Sequence, residues 1–173
     1  MLLARVAAVF VAFVALAVPM SWAQQLPDLV GDVERGRVVF LTVGGCVNCH
    51  GWPGDGRTGL DMRSPTGASL RESQLDRAGL TEVISCGRPA SQMPYHDRAA
   101  YRDARCYGML MADFGPDTAP NRGKLLREQD IANVVAFLQA KVLGRGLPTF
   151  EECIDVFANP AAAACKLMKL APR

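Results

Sequence analysis

The stretch Gly44-Gly45-Cys46-Val47-Asn48-Cys49-His50-Gly51-Trp52-Pro53-Gly54-Asp55-Gly56 (GGCVNCHGWPGDG) gathers two of the chain's six cysteines and one of its two histidines within five positions. Upstream, Asp32 is placed to cap a helix whose apolar positions Val33, Gly36, Val39, Phe40 and Val43 fall on one face. Gly44-Gly45 stops that helix, and a new turn beginning at Cys46 would place both thiols and the imidazole within one helical repeat.

Cys46-x-x-Cys49-His50 is the spacing of covalent c-type haem attachment. Each thiol adds across one haem vinyl group to form a thioether, and three positions along a helical turn match the separation of the two vinyls. His50 can then point under the iron as the proximal axial ligand. Two other chemistries use similar residues. A zinc site would draw a second Cys or His pair at short spacing, but the remaining cysteines lie twenty and twelve positions apart, Cys86 to Cys106 and Cys153 to Cys165. A thioredoxin-like pair would follow a buried strand in an α/β chain, whereas the segment before Cys46 reads as a helix and no βαβ pattern follows. No second Cys-x-x-Cys-His occurs, so one haem per chain is expected.

The occupant of the second face of such an iron separates an electron carrier from a catalyst. The candidates are Met62, Met93, Met109, Met111, Met168 and His96. Met93 is preferred because Gly87-Arg88-Pro89-Ala90-Ser91-Gln92-Met93-Pro94 reads as a rigid, non-helical loop, with proline fixing the backbone on both sides. Met109 and Met111 fall in an expected helix and read as packing residues. His96, three residues beyond Met93, is the competitor and would give a bis-histidine haem.

A late helix starts near Arg127, carries Ile131, Val134, Val135, Leu138 and Val142 at helical spacing, and stops at Gly144. It and the first helix read as core helices, and Gly36 would let a partner helix approach closely.

Residues 1–23 read as a secretory signal: a short basic start, an apolar run from Val6 to Met20, then Ser21-Trp22-Ala23 as a cleavage site. The run is shorter than the roughly 20 residues of a spanning helix. Removing the segment, whose one charge is Arg5, lowers the formal net charge from +2 to +1. The remaining charges are interspersed, which argues against nucleic-acid binding and against a strongly basic docking face. Export to an oxidising compartment makes disulfide partners of Cys86, Cys106, Cys153 and Cys165.

With these features the chain resembles the class I c-type cytochromes. The matched residues are Gly36 and Phe40 in the first helix, Cys46 through His50, the Met93-Pro94 loop, and Phe137 in the late helix, over roughly residues 32–142. The resemblance implies an all-α fold in which the first and last helices pack together around one covalent haem, with His50 and Met93 as axial ligands and the haem edge at the surface. It implies a periplasmic single-electron carrier, not an enzyme, expected to be monomeric with a redox protein as donor and another as acceptor. The spare cysteines, the Cys-Gly-Arg-Pro stretch at Cys86 and the tail around Cys153 are similar to cytochromes that serve quinoprotein alcohol or methanol dehydrogenases, which implies such a donor and a terminal oxidase downstream. A haem enzyme, a gas-binding sensor with a labile sixth ligand, or a fixed haem subunit of a membrane complex are the other readings.

The expected organisation is a cytochrome domain over 24–144 and a helical extension over 145–173. Arg57, Arg63 or Arg88 could pair with haem propionates, and Trp52 could pack on the porphyrin. Residues 97–111 read as a helix and 115–123 as a loop. Thr149-Phe150-Glu151-Glu152 fits a capping box, with a break at Asn159-Pro160. The four spare cysteines allow three pairings. Cys86 with Cys106 and Cys153 with Cys165 is preferred, since each pair lies in one local module. The first would enclose Met93 in a ring, a closure that contributes roughly 3 kcal/mol less any strain. The second would staple a hairpin too small to hold itself.

Overall fold

The computed structural model describes residues 29–57, 59 and 63–170; the expected signal over 1–23 and the candidate Met62 lie outside the described residues. The first helix, α1 (Val33–Val38), begins where the Asp32 carboxylate accepts from Arg35 N at 2.8 Å. It runs into a π-helical turn over Val39–Val43, closed by Gly44 N donating to Val39 O at 2.7 Å. Gly45, at φ +69°, reverses the chain into α2 (Val47–His50). The left-handed backbone at this bend favours glycine, which has no Cβ to clash.

The next helix, α3 (Arg77–Cys86), is capped by Asp76, and the longest, α4 (Glu128–Lys141), starts after Arg127. The pairing of α1 with α4 is close: a Cβ on Gly36 would run into Asn133 O and Phe137 Cβ. Phe40 packs on Phe137 with ring centroids 5.5 Å apart. The one polar group buried in this contact, the Asn133 side chain, is satisfied: its Oδ1 accepts from Asp32 N at 2.8 Å and from Gln129 Nε2 at 3.0 Å. Val39, Leu80, Ile84, Val134, Val135 and Leu138 complete the core, and Cys46 and Val47 pack against its edge.

The expectation of an all-α class I cytochrome c fold is corrected by a two-stranded parallel sheet, β1 (Tyr95–Asp97) paired with β2 (Arg122–Leu126). The pairing is possible because Gly123 offers no side chain. A Cβ there would meet the His96 ring at 2.8 Å, and the His96 Nδ1 lies 2.7 Å from Lys124 O. The helix expected over 97–111 is also absent. Asp97 Oδ1 accepts from Ala99 N at 2.8 Å and Asp103 Oδ1 from Arg105 N at 3.1 Å, so these side chains satisfy the backbone in turns. Tyr101 and Tyr107 adopt φ +59° and +55°, which no right-handed helix accommodates. Met109 and Met111 therefore lie on turns, Met111 in a 3-10 turn.

The tail forms a helical hairpin. The capping box is present at the start of α5 (Phe150–Phe157), with Glu152 N donating to Thr149 Oγ1 at 3.2 Å. The chain breaks at Ala158, φ +49°, and resumes as α6 (Ala163–Leu170). Cys153 and Cys165 are bonded across the hairpin, and Cys86 is bonded to Cys106. The hairpin packs back on the core: Arg37 donates to Val156 O at 2.8 Å, and Lys141 pairs with Asp155. Among the described residues no helix is long and apolar enough to cross a membrane.

Candidate functional site

Cys46, Cys49 and His50 occupy one turn, because Cys46 already has helical backbone angles and its carbonyl accepts from both Cys49 N (3.2 Å) and His50 N (2.9 Å). Both cysteines are half-buried and stand outside the two disulfides, while His50 is buried. Burial pushes the Cys46 thiol up to about 12, so it is a neutral thiol at physiological pH. A thioredoxin-like nucleophile needs the opposite shift, toward thiolate. Among the described residues no three His, Cys, Asp or Glu side chains are gathered as a metal-binding group.

The imidazole of His50 is held by sequence-distant backbone. Its Nδ1 lies 2.8 Å from Ala68 O. A carbonyl can only accept, so Nδ1 carries the proton and Nε2 is left with its lone pair for a metal. Burial lowers the His50 pKa, partly opposed by that hydrogen bond, and favours the neutral ligating form. Gly67 makes the approach possible: a Cβ there would sit 2.7 Å from His50 Nδ1 and 3.0 Å from Cys49 O. The segment is docked by Gly67 N donating to Cys49 O at 2.8 Å, and Gly56 N donates to His50 O at 2.8 Å.

Trp52 is 2% exposed, and its ring meets Phe157 at 5.7 Å beside Cys153, Val156 and Cys165. The indole therefore rests on the C-terminal hairpin. Among the described residues its Nε1 is buried with no hydrogen-bond acceptor, an arrangement that costs about 1–3 kcal/mol unless a bound group supplies one. Of the arginines considered from sequence, Arg57, Arg63 and Arg88 are all exposed. The arginine that sequence reasoning missed is Arg71, 5% exposed. Its guanidinium donates to Pro53 O at 3.1 Å, to Gly146 O at 2.6 Å and to both oxygens of Glu152. It locks the loop after the motif to the hairpin, and no short-range signal marks it.

Met93 is half-buried on a different element, the loop that leaves α3. The helix it follows, α3, places Leu80 and Ile84 in the core on which Cys46 and Val47 rest. The loop is closed by Arg88 N donating to Met93 O at 3.0 Å and fixed from outside by Ala90 N to Thr118 O and Tyr95 N to Asn121 O. Tyr101 and Tyr107 hydroxyls donate to Cys86 O and Gly87 O, each at 2.7 Å, beside the Cys86–Cys106 bond. His96 is 4% exposed and pins β1 to β2 through Lys124 O. Met109 packs on the Cys86–Cys106 cluster, Met111 is exposed, and Met168 packs beside Trp52.

Two thiols one turn apart, an imidazole with one nitrogen committed to a carbonyl and, among the described residues, a buried indole N–H without an acceptor are groups that could hold a covalent haem. No family model, curated protein or solved structure matches the chain.

Proposed function

We propose that the chain is a periplasmic single-electron carrier with one covalent c-type haem, anchored by Cys46 and Cys49 and ligated by His50 and Met93. The observation that carries the reading is the single turn bearing both thiols with His50 Nδ1 bonded to Ala68 O, which leaves Nε2 for iron. When bound, the haem supplies a one-electron ferric–ferrous couple, with a potential set by its ligands and burial. His50 is kept in one tautomer and orientation by Ala68 and Gly67. The cross-linked loop holds Met93 with few degrees of freedom, as suits a soft ligand that must stay in place in both oxidation states. Trp52 offers a buried N–H suited to a propionate oxygen. The donor in this reading is a quinoprotein alcohol dehydrogenase and the acceptor a terminal oxidase, on the likeness of the Cys86 stretch and the tail.

The test begins with the full chain secreted from a host that matures c-type cytochromes. Haem should survive denaturing electrophoresis, and replacing Cys46 and Cys49 together by Ser should abolish that. The oxidised protein should show the weak long-wavelength sulfur-to-iron band, and the reduced protein should refuse carbon monoxide at neutral pH. Met93→Ala should remove the band and admit carbon monoxide. Rapid carbon monoxide binding by the unaltered protein would overturn the carrier reading in favour of a sensor or enzyme.

A further inference from the structure

Two surface cavities differ in charge. The larger, about 440 Å³, is lined by Arg77, Glu82, Asp97 and Arg105 and so contains carboxylates, and Arg105 pairs with Asp97 at 3.3 Å and with Asp103 at 2.8 Å. The smaller, about 240 Å³, is lined by Arg98, Arg102 and Arg122 with Tyr95, Tyr101 and Met111, and contains no carboxylate. None of its three arginines joins an ion pair among the described residues. The chain's small net charge conceals this local excess.

The cavity is built by rigid backbone. Tyr95 and Arg122 are register partners in the β1–β2 pair. Tyr101, at φ +59°, turns the chain so that Arg98 and Arg102 line one cavity, and Met111 N donates to Tyr101 O at 3.0 Å to bring the far wall in. The Tyr101 ring is fixed edge-on between Tyr95, at 5.9 Å, and Phe114, at 5.3 Å. Three arginines line one recess with no carboxylate among its walls, and a guanidinium presents a planar donor fork matched to carboxylate or phosphate oxygens. The volume lies below the roughly 300–1,000 Å³ of sites for larger organic ligands, which limits the occupant to a small anion.

We propose that this cavity is a binding site for a small polyvalent oxyanion of the polycarboxylate or phosphate class. The site does not depend on the haem reading, since it uses none of Cys46, Cys49, His50 or Met93. Calorimetric titration of the full chain, both disulfides closed, with citrate and separately with inorganic phosphate at fixed ionic strength tests it. At least one should bind saturably at one site per chain, and which one binds identifies the class. Arg102→Gln and Arg122→Gln should each weaken binding about tenfold, as loss of a charge-assisted bond does, while Lys166→Gln, which removes a charge at an exposed position of α6, leaves it within about twofold. No saturable binding of either anion overturns the proposal. So does equal weakening by Lys166→Gln, which would show attraction by overall charge, or binding indifferent to both arginine substitutions.

Discussion

His50 is held by backbone groups alone, and the Met93 loop by backbone groups together with a cross-link and two hydroxyls. Around His50 the restraints are backbone groups: Cys46 O beneath, Ala68 O beside the ring, Gly67 against its edge. Around Met93 backbone bonds such as Arg88 N to Met93 O are joined by side chains and a covalent link: the Cys86–Cys106 bond and the hydroxyls of Tyr101 and Tyr107. Both sides contain a close backbone approach, at Gly67 and at Gly87, but only the Met93 side also depends on a cross-link and hydroxyls that can be removed. Removing side-chain atoms should therefore loosen the Met93 side and leave the His50 side intact.

The largest effect is expected on the Met93 side. Replacing Cys86 and Cys106 together by Ala should lower stability by about 3 kcal/mol, the loop-closure contribution for a ring of this length. Urea unfolding measures the total, and amide exchange localises it. Amides of residues 87–94 should exchange faster, with Gly67 and His50 unchanged. Equal acceleration at both places would show that the two regions unfold as one unit, with no separate restraint on the Met93 loop.

The His50 side should fail on gaining a single methyl group. Gly67→Ala places a Cβ against the imidazole and Cys49 O, so either the ring or the 67–68 backbone must move. Overpacking of this kind costs about 1–3 kcal/mol. The NMR signal of the His50 Nδ1 proton reports the hydrogen bond to Ala68 directly. Its persistence at the same shift would mean that the loop yields without strain.

How far these features could be read from sequence depends on the distance over which they are determined. The caps at Asp32 and Thr149, the stop at Gly45 and the α1 and α4 segments are local, and periodicity with turn chemistry is enough to place them. The two disulfides were legible because each closes a short module. The β1–β2 pair was not, since Tyr95–Asp97 is too short to carry an alternating pattern and its partner lies more than twenty residues on. The false helix over 97–111 came from reading polarity and alanine content without weighing Asp97 and Asp103 as turn formers. Ala68 and Arg71 act through tertiary contacts with the motif and the hairpin, and nothing in their neighbourhoods distinguishes them from other loop residues.

A smaller test separates the hydroxyls from the disulfide. Tyr101→Phe keeps the ring between Tyr95 and Phe114 but leaves buried Cys86 O without its donor. The loss should be about 1 kcal/mol, with amide exchange raised near Cys86 and not near His50. A neutral result would assign the restraint of the loop to the disulfide alone.

The smallest effect is a pH dependence from His96, which ties β1 to β2 beside the Met93 loop. Burial lowers its pKa from the usual 6.5, and the bond to Lys124 O opposes the shift only in part. The unfolded chain therefore takes up this proton at higher pH than the folded chain does. The stabilising contribution is complete above about pH 6.5 and is lost as the pH falls from there through the folded-state value. His96→Asn keeps an N–H donor for Lys124 O and removes the titration. The stability difference between the unaltered chain and this variant should shift toward the variant between about pH 7.5 and about pH 5, while contributions from His50, common to both proteins, cancel. A difference that stays constant across that range would place the acid sensitivity of the fold on the His50 side instead.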